Sequence, residues 1–319
     1  MPMEQYQMYA KCRLCPRECG VDRNSGELGF CGEGAELRLA FAGLHSGEEP
    51  PLSGEKGSGA VFVSGCNLRC RACQNWQISG GGPPGGNGSI LGRAVSTGEF
   101  AGICMALQEK GAENINIVTG SHAAPAIAVN LAEAKRSGLA IPIVWNSSGY
   151  EKIEALELLG SLVDTWLPDL KTLDSGLAAQ LCSAPDYPQA AANAISWMMR
   201  DTPGQVIIRH LILPGCLEST RAVLEWFANN AAGQAQLSLM SQYTPIAKPG
   251  SAADIPGMRS IPVRYISKKE YETVIGWLAE FGIDDGFCQE LVTGSTWLPD
   301  FRRPNPFSSK LSVPAWHYS

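Results

Sequence analysis

Short apolar runs alternate along this chain with longer stretches whose apolar residues recur at helical spacing. The first convincing run is GSGAVFVSG, Gly57 to Gly65. Beyond it, EFAGICMALQEKG predicts a helix and NINIVTG a strand. APAIAVNLAEAKRSG predicts a helix ended by Gly138, IPIVWN a strand, YEKIEALELLG a helix and LVDTWLP a strand. A single long helical region is expected from Asp174 to Arg200, then a strand in QVIIRHLILPG, a helix in RAVLEWFANNA and a strand in QLSLMSQ. KKEYETVIGWLAEFG closes the series as a helix with Gly282 at its C-cap. Short apolar strands separated by helices are the pattern of βαβ units on a parallel sheet. Six of them predict a partial (β/α)6 barrel of the TIM type, in which functional residues gather where the strands end.

The periodicity divides the chain in three. Residues 1–53 form a Cys- and Gly-rich segment with little regular pattern, residues 54–286 carry the barrel, and residues 287–319 form a Pro-rich extension expected to wrap the surface. SGGGPPGGNGS, Ser79 to Ser89, is too rich in Gly and Pro for regular structure; it reads either as a tolerated insertion or as a loop that moves aside for a bulky substrate such as an extended peptide.

Hydrophobic residues are 45% of the 319 and charged residues 18%, enough to build a substantial core. The net charge of −6 without a basic run argues against nucleic acid or an anionic membrane as partner. The start, MPMEQYQMYAKC, lacks a basic-then-apolar leader, and no apolar run approaches a bilayer-spanning length. The expectation is a cytoplasmic protein, with no membrane, whose thiols stay reduced. Eleven cysteines, an odd number, then call for metal or catalysis rather than disulfides.

Cys66, Cys70 and Cys73 fall within eight residues, spaced C-x3-C-x2-C, directly after the first strand. Positions i, i+4 and i+7 would share a helix face, and buried cysteine packs as a small apolar residue. Asn67, Arg69 and Arg71 between them are unsuited to a core, and Gly65 marks a bend. Structural zinc takes four protein ligands. Three thiolates in one loop suit a [4Fe–4S] cluster that keeps one iron open.

In this motif and its setting the sequence resembles the radical S-adenosylmethionine (SAM) superfamily. It looks most like the pyruvate formate-lyase activating enzyme group within it, in a branch that shares CRLCPRECGV, GCNLRCRACQNWQIS, NSSGYE, LPDLK, DYP and IRHLILPG in this order. The likeness covers roughly Lys11 to Gln289. It implies that SAM chelates the open iron of the cluster, that one electron cleaves SAM, and that the resulting 5′-deoxyadenosyl radical abstracts hydrogen. An electron donor such as flavodoxin or ferredoxin is implied, as is a glycyl radical enzyme or peptide as substrate. A small-molecule substrate is the alternative within the superfamily, and a non-catalytic iron–sulfur electron-transfer or interaction protein the alternative outside it. Two substitutions depart from the group: Ala72 stands where an aromatic residue usually precedes the third cysteine, and TGSH, Thr119 to His122, stands where Gly-Gly-Glu usually contacts the SAM amino group.

The same resemblance implies SAM contacts from Asn146, Ser148, Asp169 and Lys171. Read from the residues alone, Asp-x-Lys is a solvated charge pair and Asn-Ser-Ser a turn. His122, on the rim beside the substituted segment, is expected to bind the cofactor. Strand alternation points one of Arg209 and His210 inward, and His210 is a second candidate contact. Tyr243 ends the last strand, facing either core or cavity. Cys104, Cys182, Cys216 and Cys288 read as isolated free thiols.

Cys12, Cys15, Cys19 and Cys31 form C-x2-C-x3-C-x11-C among glycines that permit tight turns. Four thiols in twenty residues predict a second metal site. A zinc staple would fold a segment too short to build its own core. An auxiliary [4Fe–4S] cluster fits the grouping of three plus one better, and could relay electrons.

Overall fold

The computed structural model describes residues 6–80, 90–246 and 261–319, so most of the Gly/Pro loop at Ser79–Ser89 lies outside the described residues. The sheet begins inside the first fifty residues. Strand β1 (Arg38–His45) pairs antiparallel with β2 (Ser58–Val63), and the short helix α1 (Pro50–Ser53) lies between them. Every residue of β2 is buried, the mark of a strand covered on both faces. A two-residue strand β3 (Arg93–Ala94) pairs with β1.

Five βα steps follow. Strands β4 (Ile115–Val118), β5 (Ile143–Ser147), β6 (Thr165–Pro168), β7 (Gln205–Leu211) and β8 (Gln236–Met240) continue from β2 in parallel, and β9 (Gly286–Cys288) extends them. The helices between are α2 (Thr97–Glu109), α3 (Ala124–Arg136), α4 (Ile153–Leu156), α5 (Ser175–Cys182), α6 (Tyr187–Asp201), α7 (Leu217–Asn230) and α8 (Lys268–Glu280). The six parallel strands β2 and β4–β8 are those the hydrophobic pattern predicts, and the result is a partial barrel with a Cys-rich start.

Three expectations change. The region from Asp174 to Arg200 is two helices, because Ser183 turns left-handed (φ 55°) and Pro185 follows at once. Helix α4 covers only Ile153–Leu156 of its predicted stretch. The Pro-rich extension does more than wrap the surface: it returns as β10 (Ser312–His317), antiparallel to β1, with Phe41 opposite His317. On the way Phe301 and Phe307 pack on Phe62 with ring centroids 5.3 and 5.5 Å apart.

Among the described residues, no helix is long and apolar enough to cross a membrane. At the N-terminal end of the parallel strands, Leu52 of α1 packs on Val144, Leu167 and Ile207 and plugs the barrel.

Candidate active site

β2 ends at Val63, and two residues on Gly65 bends the chain, its backbone left-handed (φ +83°). A Cβ there would collide with the Glu33 side chain and stand 3.0 Å from the Cys31 carbonyl oxygen, so only glycine lets the first segment press against this bend. Cys66, Cys70 and Cys73 follow on the loop and line one cavity of about 960 Å³. The Leu68 amide donates to the Cys66 sulfur at 3.3 Å, and Ser79 Oγ lies 3.4 Å from the Cys73 sulfur. Burial, then the neighbouring Cys70 and Cys73 sulfurs, push the Cys66 thiol up. Among the described residues, no three Cys, His, Asp or Glu side chains stand already gathered at metal-ligand distance. The fit to a cluster therefore rests on the donor set, three thiols opening on one chamber.

Asn146, Ser148, Asp169 and Lys171 line the same cavity. They stand where β5 and β6 end, and one tyrosine of the DYP motif ties these ends together. The Tyr187 hydroxyl lies 2.7 Å from the Asp169 carbonyl oxygen and 2.9 Å from that of Ser148, and accepts from the Lys171 amide at 3.0 Å. Lys171 pairs with the Asp169 carboxylate. Burial alone would lower the Lys171 ammonium, but that carboxylate and Cys70 hold it well above its ordinary value. The last residue of NSSGYE supports β5 from behind: Glu151 accepts from Trp145 Nε1 at 2.8 Å and from Ser147 Oγ at 2.6 Å. The Ser148 hydroxyl is buried and has no protein partner.

Both histidine expectations are corrected. His122 does not line the cavity; it is buried behind the thiol loop, where its Nε2 donates to the Ser64 carbonyl at 2.7 Å. His210 points away from the chamber: Nδ1 donates to the Leu170 carbonyl at 2.7 Å and Nε2 accepts from Thr220 of α7 at 3.0 Å. Strand alternation turns Arg209 inward instead. Tyr243 and Thr119 line the cavity. Ala72 packs against Leu181, Leu213 and Tyr243, which supply the apolar surface near the third cysteine.

Sequence reasoning missed the opposite end of the chamber. Arg209 Nε donates to Glu49 Oε1 at 2.7 Å and Nη2 to Glu49 Oε2 at 2.6 Å; Nη2 also reaches Glu48. It missed the extension as well, which contributes Trp297, Pro299, Phe307 and Leu311 to the wall. The signal available was GEEP, two adjacent carboxylates before a proline between two apolar runs.

The first segment brings its thiols against the back of the cluster loop. Cys12, Cys15 and Cys31 are buried and Cys19 is exposed. A Cβ on Gly29 would lie 3.5 Å from the Cys19 sulfur and 3.7 Å from that of Cys31. Burial pushes the Cys15 thiol up to about 12, with Cys31 and Cys12 adding to it. Arg23 is buried beside them, its guanidinium 4.3 Å from the Tyr9 ring and 3.9 Å from the Cys12 sulfur, and it donates to the His122 carbonyl at 2.6 Å. A fixed cation there favours the thiolate form, against the burial that opposes it. Arg17 fastens the segment to the loop, donating to the Asn67 carbonyl at 2.9 Å and to the Ser183 carbonyl at 2.5 Å. Of the cysteines read as isolated, Cys104 and Cys182 are buried, Cys216 is half-buried and Cys288 exposed. Cys182 is not isolated, because the Cys70 sulfur is close enough to help raise its thiol, after burial.

Thiols and polar rim residues line one cavity, and a family comparison places the chain. The model of the radical SAM superfamily matches residues 60–227, and the chain belongs to that superfamily. The family implies SAM and an iron–sulfur cluster. The chain is 28% identical over 279 residues to Uncharacterized protein MJ0674 of Methanocaldococcus jannaschii, across 87% of this chain and 77% of that one. Similar solved structures include Streptococcus suis SuiB bound to precursor peptide SuiA, with TM-score 0.48 and 16% identity over 70% of this chain. This chain spans about half of SuiB, 46%. Another is a domain of pyruvate-formate lyase-activating enzyme from Bacteroides vulgatus, with TM-score 0.39 and 15% identity, covering 52% of this chain and 91% of the domain.

Proposed function

We propose that the protein cleaves SAM at a [4Fe–4S] cluster held by Cys66, Cys70 and Cys73 and abstracts hydrogen from a peptide segment, a glycyl radical enzyme being the leading candidate. The observation that carries this reading is that the three thiols, the unpaired Ser148 hydroxyl and the Asp169–Lys171 pair open on a single cavity of about 960 Å³. When bound, the cluster supplies one electron to SAM and SAM supplies the abstracting radical. The chain's own work is positioning. Asn146 and Ser148 offer hydrogen bonds to the ribose, Asp169 and Lys171 hold the methionyl end, and the phenylalanine-lined extension keeps water from the chamber. The likeness to activating enzymes in six ordered motifs supports a peptide substrate, with flavodoxin or ferredoxin as donor. The second thiol set, Cys12, Cys15, Cys19 and Cys31, holds an auxiliary iron–sulfur cluster or zinc, and residues 1–53, 54–286 and 287–319 act as metal-binding segment, barrel and closing extension. Anaerobic reconstitution, iron, sulfide and zinc counts and an assay for 5′-deoxyadenosine test the core reading. Transfer of deuterium from an α-deuterated glycine peptide into that product tests the substrate. A small metabolite that transfers deuterium where peptides do not would overturn the activase reading.

A further inference from the structure

Opposite the thiols, the loop between β1 and β2 closes the N-terminal end of the barrel and sends two carboxylates into it. Their pairing is unequal. Glu49 accepts from Arg209 Nε at 2.7 Å, from Nη2 at 2.6 Å and from Ser238 Oγ at 2.7 Å. Glu48 shares the same Nη2, already engaged by Glu49. Both lie on the cavity wall, with side chains 10% and 5% exposed. Asp169 and Lys171 neutralise one another, so among the described residues the charged side chains of this wall are three carboxylates and two cations. His45, the other titratable group beside Glu48, adds no positive charge: its Nδ1 accepts from the Gly47 amide at 3.0 Å, and burial lowers its proton affinity.

A carboxylate in a buried chamber without a full counter-charge is unfavourable unless something cationic arrives. A second observation points the same way. Asn116 is fully buried and neither of its amide atoms has a partner. It lies on the face of β4 that Val118 presents to the cavity, one layer deeper, opposite Val144, which packs on the α1 plug. A carboxamide oxygen left unpaired there is an acceptor waiting for a donor.

We propose that this floor is the specificity subsite of the substrate chamber and that it takes a positively charged nitrogen group, a guanidinium or ammonium, seated on Glu48, one layer above the unpaired Asn116 carboxamide. The proposal rests on the reading of this cavity as the place where substrate meets SAM. Such a cation belongs either to a free amine or guanidine or to a basic side chain of a peptide, and the chemistry is the same for both.

The test measures equilibrium binding to the reconstituted full-length protein by calorimetry, with no turnover, so a failure of SAM cleavage does not affect the result. The probes are butylguanidinium, its neutral counterpart butylurea, and the capped peptide acetyl-Gly-Arg-Gly-amide beside its citrulline analogue. The native protein should prefer each cation over its neutral partner by about tenfold or more, the worth of one charged hydrogen bond. Glu48→Gln should erase the preference and Glu48→Asp should keep most of it. A preference confined to butylguanidinium identifies a small molecule, and one shown by the peptide identifies a basic side chain; either supports the subsite. Should Glu48→Gln fold poorly, thermal protection of the native protein by butylguanidinium but not butylurea decides the matter. Equal affinity for cation and neutral partner, or a preference unchanged in Glu48→Gln, would overturn it.

Discussion

Arg209 grips Glu49 through two near-parallel hydrogen bonds, Nε to Oε1 at 2.7 Å and Nη2 to Oε2 at 2.6 Å, although β7 and the β1–β2 loop lie 160 residues apart in the chain. Burial alone would raise the Glu49 carboxyl, yet Arg209 and Ser238 hold it below the usual carboxylate range. Removing one partner strands the other charge inside. Arg209→Met should destabilise the fold by about 3–5 kcal/mol, and the double change with Glu49→Leu should recover much of it. Urea unfolding of the apoproteins decides: if single and double variants lose the same stability, the pair does not act as a unit.

Each of Cys66→Ala, Cys70→Ala and Cys73→Ala should abolish 5′-deoxyadenosine formation, since three thiolates leave no spare protein ligand for the cluster. Product formed at the native rate by all three variants would refute the assignment.

Asp169→Ala and Asn146→Ala should weaken SAM binding while leaving iron content unchanged. Loss of a buried hydrogen bond to ligand costs about 1–3 kcal/mol, or about 5- to 150-fold in affinity. Equilibrium dialysis with labelled SAM reads this directly, and native affinity in both variants would remove them from the site.

Replacing Cys12, Cys15, Cys19 and Cys31 together should remove one metal site and spare the cluster at Cys66–Cys73. Elemental analysis that finds iron and zinc unchanged would show that these four thiols bind neither.

The two buried histidines predict an acid limb of stability. Burial pulls His210 down to about 4 and His122 down to about 3, against about 6.5 in an unfolded chain. Between these values the unfolded chain binds protons that the folded one refuses. Stability is therefore full above about pH 6.5 and falls as pH drops toward 4, by about 3 kcal/mol for His210 alone. His210→Gln should flatten this limb in the apoprotein; denaturant midpoints at pH 7.5 and 4.5 that fall equally in both proteins would contradict the origin.

The six parallel strands were legible because each is a short, mainly apolar run set between helical stretches, and the three thiols because their spacing leaves few alternatives. Asn146, Ser148, Asp169 and Lys171 were placed on the rim because local strand ends predict it. What stayed hidden depends on contacts far apart in the chain. β1 reads as irregular since its apolar run follows glycines and cysteines, and its partners β2 and β10 are what make it a strand. His122 is level with the rim in sequence, but Gly65 brings the first segment over it and buries it. The choice between Arg209 and His210 needed Glu49 and Thr220, neither of them near in sequence.

The antiparallel seam between β1 and β10 also sets a timetable. β1 is made among the first elements and β10 is the last, so during synthesis one edge of β1 waits, unpaired, for almost the whole chain. An apolar strand with an open edge invites a neighbouring chain to pair with it. The extension works as a latch that shuts late, and until it does Phe307 is missing from the chamber wall. Insertion of an oxygen-sensitive cluster into a half-latched molecule would leave it open to solvent, so the order of assembly matters to this protein as much as its final shape.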